Sequence, residues 1–476
     1  MNQLFFAAIA AYIVFLPTVG IARDLSWHDQ QRLAQIVLLV MVAATAAWRH
    51  TPVRPGMMAV PIWSFMPRGA RFALSAALLL GAVSSVLAPM QRWAYVEWSL
   101  MTLLIALGCF VAELRRRMGD RLDRLLMGVL LFTATAYMVK FFSAYAAVLV
   151  EQLPMHMRWL FDGFSNPRFF GQFQSMTLPL LVLPAMWWAK TPLLRVTLTM
   201  IPIFWWMLAF ASGTRGTWLA MMCACAMVFL CVRNESYRWL KWQLGTILGG
   251  LAAYGLFFFV VPGLFAVHTD MVGRLSDIAN LSFRDVLWKS AIEFVASHPI
   301  LGIGPMHFSY YPNPIAAHPH MSFLQWAAEW GLPSALLMLG LALYAGASYA
   351  RQLRATTTAG DEAYTLRLAL LASLCAAATH SLVDGVIVMP YSQTLLAILC
   401  GWALAIYQSQ SPSPPRIDRT AEQVSRATIV LSALLLLWGI YPQIPDVVNR
   451  AGMFDTTVVV EGVAFFPRFW SSGWIY

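Results

Sequence analysis

Apolar runs recur along this chain at the length of membrane-crossing helices. A helix needs about 20 apolar residues to cross a bilayer. On that ruler thirteen runs qualify: 3–21, 33–48, 72–89, 95–112, 125–150, 174–189, 196–211, 217–232, 242–262, 326–350, 368–388, 392–408 and 427–441. The pattern predicts an all-α fold, a polytopic membrane helix bundle of about 12–13 transmembrane helices with a partly helical loop on one side. The opening residues, MNQLFFAAIAAYIVFLPTVG, lack the basic start and A-x-A exit of a cleaved signal and read as the first span. No short-period repeat is visible.

The longest polar interruption runs from Leu281 to Gln325, LSFRDVLWKSAIEFVASHPILGIGPMHFSYYPNPIAAHPHMSFLQ. It carries Arg284, Asp285, Lys289 and Glu293, and four of the nine histidines: His298, His307, His318 and His320. The remaining chain reads as a scaffold that holds this stretch at a water–lipid boundary.

Composition agrees with a membrane protein. Of 476 residues, 59% are hydrophobic and 11% charged, against about a quarter charged in soluble domains. The formal charge of +10 forms no run or tail. It reports orientation more than an anionic partner, and nucleic acid is not expected. The loop ELRRRMGDRLDR at 113–124 has five arginines and is expected in the cytoplasm. Loops 49–71, 190–195, 233–241, 351–367 and 409–426 share its side, and together with it they hold 20 of the 32 Lys and Arg. That bias puts the N-terminus inside and the segments 151–173 and 263–325 and the tail outside. The expected organisation is a bundle over 1–408 that includes the outer loop 263–325, a Pro/Ser-rich cytoplasmic linker over 409–426, and a further helix and outer tail over 427–476. For the closing FFPRFWSSGWIY only an interfacial aromatic anchor is expected. The six cysteines all lie in apolar runs, so neither a disulfide nor a zinc site is expected.

On this orientation the polar clusters that could do chemistry fall on one face. They are Arg168 and Gln172 in NPRFFGQFQ, Arg215 in SGTRGTW, Arg284 in SFRDVLWKS, and His320 in HPHMSF. Arg284 opens an amphipathic segment whose apolar positions are Phe283, Val286, Leu287, Phe294 and Val295. Lys289 and Glu293, four apart, could pair; an interfacial helix with a solvated charged face is the plainer reading. The run GIGP lacks the Lys-Ser/Thr of a phosphate loop. Pro319 disfavours helix at His318 and suits the first turn after it, which places His320 in the first turn of a span. Histidine is the side chain best suited to take a proton near neutral pH. His318 and His320 have no third ligand nearby, so no metal is expected. A guanidinium at Arg215 or Arg168 can clamp a phosphate, or simply snorkel from a helix end. His380 and Asp384, four apart, could bond each other as structural glue. Lys140 lies inside a span and needs a partner.

The order of these motifs resembles the O-antigen ligase and polymerase superfamily, which includes protein O-oligosaccharyltransferases. The likeness runs over roughly 160–400: NPRFFGQFQ, SGTRGTW, SFRDVLWKSAIEFVASHPILGIGP, then a histidine leading into HMSFLQWAAEWGLPSALLML. Where many members carry Asn after this histidine, the chain has Met321. The resemblance implies an integral protein of the bacterial inner membrane with its active site facing the periplasm. Its donor would be a glycan on undecaprenyl diphosphate, its acceptor a hydroxyl of lipid A–core or of a protein, and its surroundings membrane lipid. It implies Arg215 and Arg284 as diphosphate contacts and His320 as base, with Arg168, Gln172, His318 and Lys289 as further substrate contacts. The expected transfer inverts the sugar and needs neither cofactor nor metal. The ligase is favoured, since no large domain follows the last span. A protein O-oligosaccharyltransferase and a polymerase are the alternatives. A flippase or transporter is the non-enzymatic rival, and it would place ionisable groups at mid-depth.

Overall fold

A computed structural model describes residues 2–22, 25–48, 66–155, 160–268, 283–311, 313–355, 361–409, 419–449 and 466–475. Most of the 49–71 loop, 410–418 of the expected linker, 269–282 of the long loop and 450–465 of the tail lie outside the described residues.

Although 174–189 is split in two at Val182 and 368–388 outruns a helix that ends at Ser381, every predicted span overlaps one of the helices. In chain order these are α1 (Asn2–Thr18), α2 (Trp27–Trp48), α3 (Arg68–Leu87), α4 (Gln91–Met118), α5 (Asp120–Val150), α6 (Pro167–Leu181), α7 (Leu183–Trp187), α8 (Pro192–Ala211), α9 (Arg215–Val232) and α10 (Tyr237–Leu264). After the long loop, which holds α11 (Arg284–Ser297) and α12 (Ser322–Trp330), come α13 (Leu332–Ala355), α14 (Glu362–Ser381), α15 (Pro390–Ser409) and α16 (Arg419–Ile440). Ten helices among the described residues are long and apolar enough to cross a membrane, so the chain is a multi-pass membrane protein. The run predicted as one span over 326–350 is broken. Gly331, at φ +84°, separates α12 from α13, so the crossing helix starts only at Leu332.

The bundle is organised around α4. Its 28 residues make a helix of about 42 Å, and Val96, Leu100, Leu103 and Leu107 along it are wholly buried. Helix α15 crosses it where Gly108 meets Gly401. A Cβ on Gly401 would collide with the Gly108 carbonyl, and one on Gly108 would come within 2.9 Å of the Ala397 carbonyl oxygen. Small residues allow this approach, and in lipid such packing, not water exclusion, holds helices together. Helix α16 closes on the same core through Ile429, Ala433, Leu436 and Ile440, which lie on one face.

The two ends of the bundle differ. At one, the α4–α5 junction, Arg115 bridges Asp120 at 2.6 Å and Asp123 at 2.8 Å. At the other, the long loop lies over the α3–α4 junction. Ser84 Oγ donates to the Leu301 carbonyl (2.6 Å) and the Met90 N–H donates to His307 Nε2 (3.0 Å). The loop has its own small core of Leu287, Ala291, Phe308, Ala316 and Ala328, with Phe294 and Val295 packed against it. The predicted apolar face is therefore half right. Phe283 and Val286 are exposed: Phe283, in left-handed backbone, precedes the helix, and the inward positions run Leu287, Ala291, Phe294 and Val295. Lys289 and Glu293 are both exposed and form no ion pair.

The partner expected of Lys140 is found, and one further expectation changes. Lys140 reaches Asp162 at 2.7 Å and lies 4.4 Å from the Trp27 ring, whose Nε1 donates to the same carboxylate (2.6 Å). The closing residues are no interfacial anchor. Phe469, Trp470 and Ile475 are buried in the bundle because Arg468, at 1% exposure, is drawn in with them by two carboxylates.

The Gly108–Gly401 crossing predicts that Gly401→Val forces α4 and α15 apart. It should cost about 1–3 kcal/mol, the usual range for overpacking, read as a lower thermal midpoint of the detergent-purified protein.

Candidate functional site at one end of the bundle

The site is built where helix starts meet. Helix α6 begins cleanly. Asn166 caps it, its side chain accepting from the Arg168 N–H at 2.9 Å, and Pro167 takes the first helical position. Arg168 thus sits half-buried in the first turn. The depth of α6 is set by its aromatic residues. Phe170 stacks on Tyr137 (4.5 Å between ring centres) and Phe173 meets Trp205 edge-on (5.5 Å). One turn below Arg168, Gln172 is fully buried. Its Oε1 accepts from Ser392 Oγ (2.7 Å), while its Nε2 has no hydrogen-bond partner among the described residues.

Helix α9 starts beside α6. The turn Ser212–Gly213–Thr214 carries linked hydroxyls, Ser212 to Thr214 at 2.9 Å and Thr214 to Thr217 at 3.1 Å. Thr217 Oγ1 then donates to the Gly171 carbonyl (2.9 Å), tying α9 to α6. Arg215 is the first residue of α9. Its neighbour Gly216 lies against His380, and a Cβ there would come within 2.7 Å of His380 Nε2. Only glycine lets the start of α9 lie on that imidazole.

Helix α11 starts with Arg284. Burial lowers its pKa; the Asp384 carboxylate opposes that shift, and the charges of Arg168 and Arg215 add to it. Asp384, Arg168 and Arg215 therefore all lie within electrostatic reach of Arg284. The Nε of Arg284 is buried with no hydrogen-bond partner among the described residues. All three arginines stand in the first turn of a helix. The positive end of a helix dipole disfavours a cation there by about 0.3–1 kcal/mol. Side-chain charge and helix-end charge thus add at one place, a concentration of positive potential suited to an anion.

His320 faces this cluster from the loop before α12. Its backbone is left-handed, φ +53°, and α12 begins only at Ser322. The expectation that it occupies the first turn of a span is corrected: Pro319 ends the extended stretch without starting a helix. The His320 Nδ1 lies 3.2 Å from Asp384 Oδ1. Asp384 Oδ1 also accepts from the Gly385 N–H (2.8 Å), and Oδ2 lies 3.8 Å from His380 Nε2. His380 Nδ1 in turn meets Ser175 Oγ at 3.0 Å. Burial would raise the Asp384 pKa, but the hydrogen bonds from His320 and His380 and their charges hold it well below the usual carboxylate value. The sequence marks Asp384 only as a possible partner of His380; its contact with His320 is not foreseen there. Asp384 is not simply glued to His380 on a helix, because α14 ends at Ser381 and the turn swings the carboxylate toward His320.

His318 lies behind His320, buried, with ring centres 4.1 Å apart, and its Nδ1 accepts from the His320 N–H (3.3 Å). Burial, then the neighbouring charges of His320 and Arg468, push its pKa well below the ordinary 6.5. Lys289 is not brought into the cluster. It is exposed on α11, five residues and so about 140° round the helix from Arg284.

Residues 198–339 match the family model described as O-antigen ligase. The matched stretch holds Arg215, Arg284, His318 and His320 and stops short of Asp384. It supports the resemblance to the O-antigen ligase and polymerase superfamily. No curated protein matches the chain significantly.

His318 generates a pH prediction. Its depressed pKa means that the unfolded chain binds a proton that the folded chain refuses, so stability falls as pH drops below about 6.5. His318→Asn keeps an acceptor for the His320 N–H and removes the titrating ring. Thermal midpoints at pH 7.5 and 5.5 should differ less in this variant than in the wild type.

Proposed function

We propose that this protein is a glycosyltransferase that moves a glycan from undecaprenyl diphosphate to an acceptor hydroxyl on the periplasmic face of the bacterial inner membrane. The match over 198–339 supports an activity of the O-antigen ligase or polymerase type. The observation that carries the finer reading is that Arg284 lies within electrostatic reach of Arg168, Arg215 and the Asp384 carboxylate that holds His320.

The chemistry follows from that arrangement. The acceptor oxygen attacks the anomeric carbon while the bond from that carbon to the diphosphate oxygen breaks. The electron pair leaves with the diphosphate, and the anomeric centre inverts. Negative charge grows on the leaving group, and Arg215 and Arg284, aided by Arg168, stabilise it more in the transition state than in the ground state. Guanidinium groups remain charged at any working pH, so this stabilisation is independent of titration. Asp384 engages Nδ1 of His320, which leaves Nε2 to take the acceptor proton. Gln172, with its unpartnered Nε2, is a candidate donor to a phosphate or sugar oxygen. His318 acts from behind, by holding the backbone of His320.

The transporter reading has less support. Lys140, the clearest mid-span charge, is paired with Asp162, and the other clustered charges lie near the bundle's ends. Among acceptors, lipid A–core is favoured, with Ser or Thr of a protein or another carrier-linked glycan as alternatives.

The purified protein should be incubated with lipid-linked glycan and, in separate reactions, core lipid, a pilin-like protein or no added acceptor; the product identifies the subfamily. His320→Ala, Arg215→Ala and Arg284→Ala should each lower transfer by about 100- to 1,000-fold, the typical cost of losing one such group, without loss of folding. Asp384→Asn should lower kcat and leave donor KM nearly unchanged. Transfer by His320→Ala at the wild-type rate would end this assignment.

A further inference from the structure

The closing residues 466–475 touch neither His320 nor Asp384 in any described hydrogen bond, yet they are tied to the segments that carry both. On the His320 side, Arg468 Nη2 lies 2.7 Å from Glu329 Oε2 on α12, the helix that starts two residues after His320. The other oxygen of Glu329 accepts from the Phe308 N–H (3.0 Å), and the Ile475 N–H donates to the Ser309 carbonyl (3.3 Å). Glu97 on α4, 3.3 Å from the same guanidinium, anchors it to the central helix.

On the Asp384 side the link runs through Arg32 of α2. Its guanidinium donates to the carbonyls of Phe469 (3.0 Å) and Arg468 (3.1 Å). It also donates to the Val388 carbonyl (2.8 Å) and to Gln393 Oε1 (2.8 Å). Val388 belongs to the turn that carries Asp384, closed by its N–H to the Gly385 carbonyl at 2.9 Å. The segment is further held by Asp29, which accepts from the Ser471 N–H (2.8 Å) and hydroxyl (2.5 Å). One short stretch of chain thus grips the two elements whose spacing sets the His320–Asp384 contact.

A plug that only fills space would need apolar side chains. This one buries an arginine at 1% exposure between two carboxylates, and Arg32, at 1%, against its carbonyls. Removing such a charge from water is expensive unless every partner is in register, so the partners fix the geometry. We infer that Arg468 is a positioning residue, and that segment 466–475 is a strap that sets the distance between His320 and Asp384. The inference rests on the proposed roles of those two residues in transfer.

Three full-length variants test it. Arg468→Met alone leaves Glu97 and Glu329 unpaired and will itself lower stability. The double variant Arg468→Met with Glu329→Gln removes one stranded carboxylate while keeping an acceptor for the Phe308 N–H. Arg468→Lys keeps the charge. Thermal midpoint, kcat per folded protein and donor KM are read for each. The strap predicts that the double variant regains most of the midpoint lost in Arg468→Met, yet keeps a kcat lowered by roughly 100-fold, the scale of a misplacement of about 1 Å. Donor KM should be nearly unchanged and Arg468→Lys intermediate. A kcat per folded protein equal to wild type in the double variant would overturn the inference. If the wild-type protein itself transfers no glycan, the proposed function fails and the strap is judged by hydrogen exchange. Faster exchange in the double variant over both 322–330 and 385–393 supports it, and unchanged exchange overturns it.

Discussion

The carboxylate of Asp384 is almost fully withdrawn from solvent, and the site takes its shape from keeping it ionised there. A buried carboxylate must be hydrogen-bonded and charge-paired or become protonated. Here His320 meets one oxygen and His380 the other, with the Gly385 N–H as a third contact. Each requirement propagates outward. His380 must lie where the start of α9 can rest on it, which demands Gly216 and brings Arg215 near. His320 must turn back through left-handed backbone, which ends the helical register before α12. The one negative group also offsets part of the repulsion that Arg168 and Arg215 exert on Arg284.

The lipid environment explains where such an arrangement can stand. Charges buried at mid-depth are costly, and the clustered charges here lie near the two ends of the bundle. At one end, Arg115 with its two aspartates closes the tight α4–α5 turn. At the other, the arginines, histidines and Asp384 gather with the buried Arg32, Glu97, Glu329 and Arg468 beside them. Between the ends the contacts are mostly apolar, aromatic or glycine-to-glycine, with a few neutral hydrogen bonds such as Trp205 Nε1 to Thr177 Oγ1 (3.0 Å). The bundle carries Arg168, Arg215 and Arg284 on three separate helix starts.

Much of this was legible in the sequence, for physical reasons. A run of about 20 apolar residues has one stable solution in a bilayer, so the spans could be counted. Arg168, Arg215, Arg284 and His320 stood out because charge at the edge of a span is conspicuous. The breaks were harder to see. Gly331 splits the 326–350 run through a backbone angle that composition does not reveal, and Ser381 ends α14 inside an apolar run. Asp384 was given only one of its two partners: i,i+4 spacing pointed to His380, which does face it at 3.8 Å, while the nearer imidazole lies 64 residues upstream. Arg468 gave no signal at all: its carboxylates are 371 and 139 residues away in sequence, and the aromatic residues around it fit a lipid interface equally well.

The most direct measurement is a structure of the protein bound to a non-hydrolysable undecaprenyl diphosphate glycan. The account predicts the diphosphate between Arg215 and Arg284, with the anomeric carbon on the side of His320 and the Asp384 contact intact. A diphosphate bound elsewhere in the bundle, or seated with its sugar turned away from His320, would contradict it.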